Sequence, residues 1–301
     1  MKQFAFALAM LTSTSLAWDP AGHMLVGQIA WELSTPDTRA AVAALVATLD
    51  NRFNERQPYN FVTASCWMDD LRSLPKKEYL WSQWHYVDIT KDDDGRNFKL
   101  PEPPHVVWAI GENLKVLRDK AAPKDERAKA LGQIMHWIGD IHQPLHATTW
   151  DDHGGNGYLI MGVPFSDLWP GTKANLHTYW DKAFRFDIKD GNVVEQWQCP
   201  KIDARPKAPS EGVIAEEAKK LMERFPKNSL HELAAKFDAE AWARESHTIG
   251  CTKAYPPGDH PRDIAVHKLE PDFVHASNAI AGRRVVLAGH RLAAILNELF
   301  P

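Results

Sequence analysis

Two histidine–aspartate pairs recur at one spacing: His136 with Asp140, and His177 with Asp181. Residues four apart on a helix lie one turn apart on the same face. Each pair can therefore offer an imidazole nitrogen and a carboxylate oxygen to one metal ion. Zinc accepts this donor set, and catalytic zinc sites use few protein ligands, leaving a position open for water. The first pair sits in HWIGDIHQPLH, residues 136–146, which ends on another histidine, His146. Pro144 has no backbone N–H and its ring crowds the preceding turn, so the helix should stop before it and leave His146 free to face a different ion.

Other candidates stand apart in sequence: Asp69 in CWMDDLR, His85 in WHYVD, and His23 near the start of the chain. A lone buried histidine is more often a hydrogen-bonded core residue, and a helical His/Asp pair can be a plain ion pair. Two such pairs in a chain of little net charge favour a multi-zinc hydrolase. Spacing alone leaves the ligand assignment open.

The elements that must position these residues read as helices. Val26, Ile29, Ala30 and Leu33, and again Leu292, Ile295, Leu296 and Leu299, fall at i, i+3, i+4 and i+7. Thr35-Pro36-Asp37 supplies a capping threonine and a proline at the first helical position. Further helices are expected around 61–73, 103–120, 124–142, 174–184, 211–224, 229–247 and 271–298. Strand signal is scarce; GYLIMGVPF, residues 157–165, is the best candidate for a short hairpin. KIDARPKAPSEG and AYPPGDHPRD read as surface loops. The expectation is one mostly helical domain.

The 301 residues, 44% hydrophobic and 25% charged, are ordinary for a globular chain. A formal net charge of -4 argues against a broad basic face for duplex DNA, though not against a small phosphodiester site. Residues 1–17 read as an export signal: Lys2, the apolar run Phe4 to Leu11, and small residues before Trp18. Without Lys2 the charge falls from -4 to -5. No later stretch is long and apolar enough to span a membrane, so a protein that leaves the cytoplasm in soluble form is expected. Of the three cysteines, one disulfide and one leftover thiol is the simplest arithmetic. Cys199 with Cys251 is the expected pair, with Cys66 buried. There is no N-x-[ST] sequon.

WDPAGHMLVGQIA, ASCWMDDLR, WHYVD, HWIGDIHQPLH, GGN and NLHTYWD, in that order, resemble the motifs of the S1/P1 nucleases. These are secreted three-zinc enzymes distantly related to bacterial zinc phospholipases C. WARESHTIGCTKAYPPG and AGRRVVLAGHRLAAILNELF resemble the family's C-terminal region, so the resemblance spans about residues 18–300. It implies an all-α fold, a single compact, mostly helical domain of the phospholipase C/P1 nuclease type over 18–301, with a small β-hairpin.

The resemblance also implies ligands. Asp69, His85, His136 and Asp140 would hold one zinc, and His146, His177 and Asp181 a second. A third would take the Trp18 α-amine and carbonyl, His23, and Asp140 as a bridge. Asp69, Arg72 and Asn156 take catalytic positions, and Tyr86 and Asp88 match a base pocket, implying single-stranded RNA and DNA and 3′-nucleotides as substrates for a monomer. On residues alone, Arg72 can be a surface ion pair, Asn156 a turn residue and Tyr86 core. The loop ITKDDDGRNFKL lacks the cysteine pairs the family often carries there. His142 and His153 match no ligand position and are expected beside the site or on the surface; His105, His231, His247, His260, His267, His275 and His290 are expected to have no role. Rival readings are a phospholipase C-like phosphodiesterase and a non-catalytic zinc-binding protein.

Overall fold

Asp19 accepts a hydrogen bond from the Gly22 N–H (3.0 Å) and Pro20 opens the first turn, starting helix α1 (Pro20–Leu33). The computed structural model describes residues 18–301 except 76, 93, 166–173, 210–211, 235–236 and 259–264. The expected export signal and His260 lie outside the described residues. Thr35 caps α2 (Pro36–Val46) through the Thr38 N–H (3.1 Å), as its sequence predicts.

Every α1 residue from Ala21 to Ala30 is buried, the mark of a helix surrounded on all sides. Leu33, placed on its apolar face by periodicity, is 38% exposed. The long α9 (Pro271–Leu299) lies against α1. A Cβ on Gly289 would come within 2.5 Å of Ile29 Cγ2, so the missing side chain sets their close approach. α5 (Lys124–Asp140) packs on α1, α2, α9 and α4 (Val106–Arg118), and it ends at Asp140, before Pro144.

Three expected helices differ. The 61–73 stretch is a 3₁₀ turn, one turn of helix α3 (Trp67–Asp70), and a second 3₁₀ turn. Residues 174–175 are extended before α6 (Leu176–Trp180). α7 (Gly212–Arg224) matches its expected span, but α8 begins only at Ala239 and runs to Thr252. Asp238 accepts from the Glu240 and Ala241 N–H groups and so fixes that start.

GYLIMGVPF is not a hairpin. It supplies one strand, β1 (Leu159–Met161), which pairs antiparallel with β2 (Ala174–Asn175) and parallel with a strand at His267–Lys268. The hairpin lies at β3 (Phe186–Lys189) and β4 (Asn192–Glu195), joined by Asp190-Gly191, both at positive φ. Asp-Gly is the preferred two-residue hairpin turn. The His267–Lys268 strand is β5.

All three cysteines are free thiols. The expected Cys199–Cys251 bridge is absent because the two sit in different surroundings. Cys251 lies on α8 beside His247, while Cys199, after β4, feels the charges of Asp19 and Arg185. Counting cysteines carries no information on that separation. Among the described residues, no helix is long and apolar enough to cross a membrane.

Candidate metal centre

α5 presents His136 and Asp140 on one face, and both are fully buried. The His136 Nδ1–H donates to the Ser65 carbonyl (2.7 Å), so its Nε2 carries a lone pair. That lone pair faces His85 Nδ1 at 3.0 Å and Asp140 Oδ2 at 3.3 Å. His85 Nδ1 is 2.9 Å from the same carboxylate oxygen, and its Nε2 bonds the Tyr79 hydroxyl at 2.6 Å. Asp69, on α3, brings Oδ1 to 3.7 Å from His136 Nε2.

α1 supplies His23. Its ring stacks on His136 with centroids 3.8 Å apart, and its Nε2 lies 3.3 Å from Asp140 Oδ1 and 3.9 Å from Asp69 Oδ2. A Cβ on Gly139 would come within 2.9 Å of the His23 ring, so a glycine is required where α5 meets that imidazole. Trp18 is buried, with its indole N–H donating to the Gly139 carbonyl (2.8 Å), and the Asp19 N–H donates to the Asp181 carbonyl (3.1 Å). The start of α1 is thereby pinned between the ends of α5 and α6.

A second group lies beside the first. The His146 Nδ1–H donates to the His85 carbonyl (2.8 Å) and the His177 Nδ1–H to the Gly154 carbonyl (2.6 Å). Their Nε2 lone pairs then face each other across 3.1 Å, and His177 Nε2 is 3.6 Å from Asp181 Oδ1. Gln143 steadies that carboxylate by donating to Oδ1 (2.8 Å). Gly154 and Gly155, both at positive φ, press on Leu145; a Cβ on Gly154 would reach its carbonyl oxygen at 2.7 Å. The glycine pair thus lets the loop close over the His146 turn.

Facing lone pairs and clustered buried carboxylates repel one another until a cation lies between them. Both ring nitrogens of His23, both oxygens of Asp69 and Oδ1 of Asp140 are buried without a hydrogen bond, whereas such atoms almost always find one. Burial, then the neighbouring imidazoles and Arg72, hold His23 and His85 well below the ordinary histidine value. His136 goes the other way, since Asp140 and Asp69 outweigh its burial. Burial pushes Asp140 up to about 6, and raises Asp181 well above the ordinary carboxylate value. Imidazole lone pairs and buried carboxylates converging in this way fit a divalent ion. Within each of the sets His23/Asp69/His136, His85/His136/Asp140 and His146/His177/Asp181, one donor atom per residue lies within 4.8 Å of the others.

The S1/P1 Nuclease family pattern matches residues 18–301. Endonuclease 3 of Arabidopsis thaliana is 25% identical over 97% of this chain and 92% of its own length. Nuclease P1 of Penicillium citrinum is 20% identical over 94% of the chain and 97% of its own length. The chain belongs to the S1/P1 nuclease family. It is a nuclease, a hydrolase of phosphodiesters, with His/Asp groups suited to the metal dependence of that family.

In this S1/P1 nuclease Arg72 Nε lies 3.1 Å from Asp69 Oδ1. Burial works against its charge, but Asp69 and Tyr79 more than offset that and raise its pKa. Half-buried Tyr86 and exposed Asp88 lie two apart on backbone that is extended at Tyr86, so they share a side. Burial and the Asp88 charge push the Tyr86 phenol up. Between them, the Val87 N–H donates to the His146 carbonyl (2.7 Å), tying this segment to the second group. Asn156 is half-buried and donates to the His153 carbonyl (2.8 Å).

His153 is exposed. His142, expected beside the site or on the surface, is neither: it is buried in the core, donating to the Ile138 carbonyl (2.7 Å) and accepting from Arg291 (2.8 Å). Tyr79 and Gln143, which hold His85 and Asp181, were not singled out from sequence. Gln143 stands inside the histidine-rich motif, whereas Tyr79 carries no spacing signal. His247 also belongs to a donor cluster, with Asp92 and Cys251. Its i, i+4 partner Cys251 repeats the spacing that marked the other pairs.

Proposed function

We propose that this nuclease is an exported, zinc-dependent endonuclease that cuts single-stranded RNA and DNA to 5′-phosphate products and also acts as a 3′-nucleotidase. The observation that carries the proposal is the convergence of His23, His85 and His136 on Asp140 beside the His146/His177/Asp181 group, with Arg72 against Asp69 and the Tyr86–Asp88 segment bonded to His146. Three zinc ions would be held by Asp69, His85, His136 and Asp140; by His146, His177 and Asp181; and by Trp18, His23 and Asp140. Zinc at these positions supplies positive charge for phosphate oxygens and acidifies water to a near-neutral pKa.

The protein's own groups do the rest. Asp69 orients the attacking water with carboxylate oxygens free of hydrogen bonds. Arg72 directs its fixed donors at the equatorial oxygens as charge builds there. The Asn156 amide donates to the same phosphate. His177 and Asp181 would hold an ion whose charge offsets the negative charge building on the departing 3′ oxygen. Tyr86 stacks an unpaired base and Asp88 accepts from its N–H groups, which selects for single strands because paired bases offer neither surface. The Trp18 α-amine exists only after removal of residues 1–17, so cleavage of that leader completes the centre.

Purified chain beginning at Trp18 should cleave single-stranded DNA, RNA and a 3′-nucleotide, and not phosphatidylcholine. A chelator should abolish the activity and zinc restore it. Chelator-resistant turnover, or hydrolysis of phosphatidylcholine with nucleic acids left intact, overturns the proposal. A chain with extra residues before Trp18 should take up less zinc.

A further inference from the structure

Away from that centre, α8 and the loop after Asp88 bring three different donor types together. One ligand atom each from Asp92, His247 and Cys251 lies within 4.8 Å of the others. His247 is fully buried, Cys251 is 6% exposed, and Asp92 is half-buried at the edge. His247 and Cys251 sit one turn apart on α8, with Sγ 3.4 Å from His247 Nε2. The His247 Nδ1–H donates to the Ala147 carbonyl (3.0 Å), which leaves Nε2 as a lone pair aimed at the cluster. A metal-binding imidazole is typically oriented in this way by a backbone carbonyl on its other nitrogen. Asp92 is equally fixed: its two oxygens accept from the Gly95 N–H and from the Asn97 N–H (2.6 Å).

The loop is built to reach α8. Gly95 has φ +73°, and a Cβ there would come within 2.8 Å of Thr248 Cα. Phe98 meets His247 edge-on at 5.9 Å, with the Arg244 guanidinium 4.0 Å over the Phe98 ring. Upstream, the Lys91 N–H bonds the Thr149 carbonyl (2.7 Å) and the Thr149 N–H the Ile89 carbonyl (2.9 Å). The chain therefore runs from Tyr86–Asp88 along the His146 segment and directly into this cluster.

We propose that Asp92, His247 and Cys251 form a further zinc site, separate from the nuclease centre, that clamps Asp92 and the stretch from Gly95 to Phe98 onto α8. Thiolate, imidazole and carboxylate together select zinc over the hard divalent ions, and a fourth position remains for water. On binding, the S–H bond of Cys251 breaks, its proton leaves to solvent, and the thiolate becomes the ligand. The site rests on geometry independent of the proposed substrate and needs no activity to be detected.

The sulfur gives it a signature. Every donor proposed for the nuclease centre is nitrogen or oxygen, so a thiolate-to-cobalt charge-transfer absorption can arise only from a cysteine site. Chain beginning at Trp18, stripped and reloaded with cobalt, should show that near-ultraviolet absorption. Cys251→Ser and Asp92→Asn should both lose it. With zinc, Cys251→Ser should bind one equivalent less than the parent and keep the parent's rate on single-stranded DNA, because Cys251 touches His247 and no donor of the nuclease centre. Absence of the cobalt absorption in the parent chain overturns the proposal, as does zinc content unchanged in Cys251→Ser. In either case the cluster is a hydrogen-bonded one, with the Cys251 thiol donating to Asp92. Loss of nuclease activity with the absorption intact would count against the proposed function instead.

Discussion

Asp140 is shared, one oxygen turned to His85 and His136 and the other to His23. Asp140→Asn keeps the shape and removes the charge. Because merely disturbing residues behind metal ligands lowers activity about 10–100-fold, this change should lower kcat by more than about 100-fold, with metal content reduced and the far-ultraviolet spectrum intact. His142 makes a different prediction. Burial first, then the charges of Arg284 and Arg291, hold it well below the ordinary value, so it is neutral in the folded chain. An unfolded histidine takes a proton near pH 6.5. Its contribution to stability is therefore full above that pH and fades as pH falls toward the depressed folded value. Urea midpoints of the metal-free chain should fall less steeply between about pH 7 and 5 in His142→Gln than in the parent; equal slopes would refute this. Sequence sets His146 apart as a ligand and His142 as none, but does not place His142 in the core. Both stand in one motif, and only the carbonyl and arginine that meet His142 make it a core residue.

At the scale of elements, two glycines separate stability from chemistry. Gly289→Ala forces a methyl group into Ile29 and should destabilise the chain by about 1–3 kcal/mol, typical of overpacking. Activity per folded molecule should stay unchanged, which denaturant midpoints and kcat measured together will show. Gly139→Ala instead pushes a methyl group at the His23 ring, and should lower kcat more than it lowers the midpoint. The helices carrying the donors were legible because apolar periodicity and capping signals act locally. The start of α8 was not, since apolar residues continue upstream of the cap at Asp238. Nor was the sheet: β1 finds its partners at 174–175 and 267–268, and no local pattern encodes such distant pairing. The local hairpin signal in the sequence is the Asp190-Gly191 turn.

Across the whole molecule, donors from α1, α3, α5, α6 and the turn at His146 meet in one place. Ions bound only by the folded chain stabilise it by mass action, about 2.7 kcal/mol per site at a hundred times the dissociation constant. Chelation should therefore lower the melting temperature as well as abolish turnover, and His177→Ala should retain the fold while losing one zinc and most activity. A melting temperature indifferent to chelator would show that the donors hold no ion. The donor set was legible because its residues recur as spaced pairs and ordered motifs. The cluster at Asp92, His247 and Cys251 was not, because a loop and a helix far apart in the chain create it only on folding.

The ribosome makes α9 after every element that bears a donor for the nuclease centre, yet α9 is what covers α1, the helix that holds His23. A partly synthesised chain can own all those donors and still lack the wall that keeps them together.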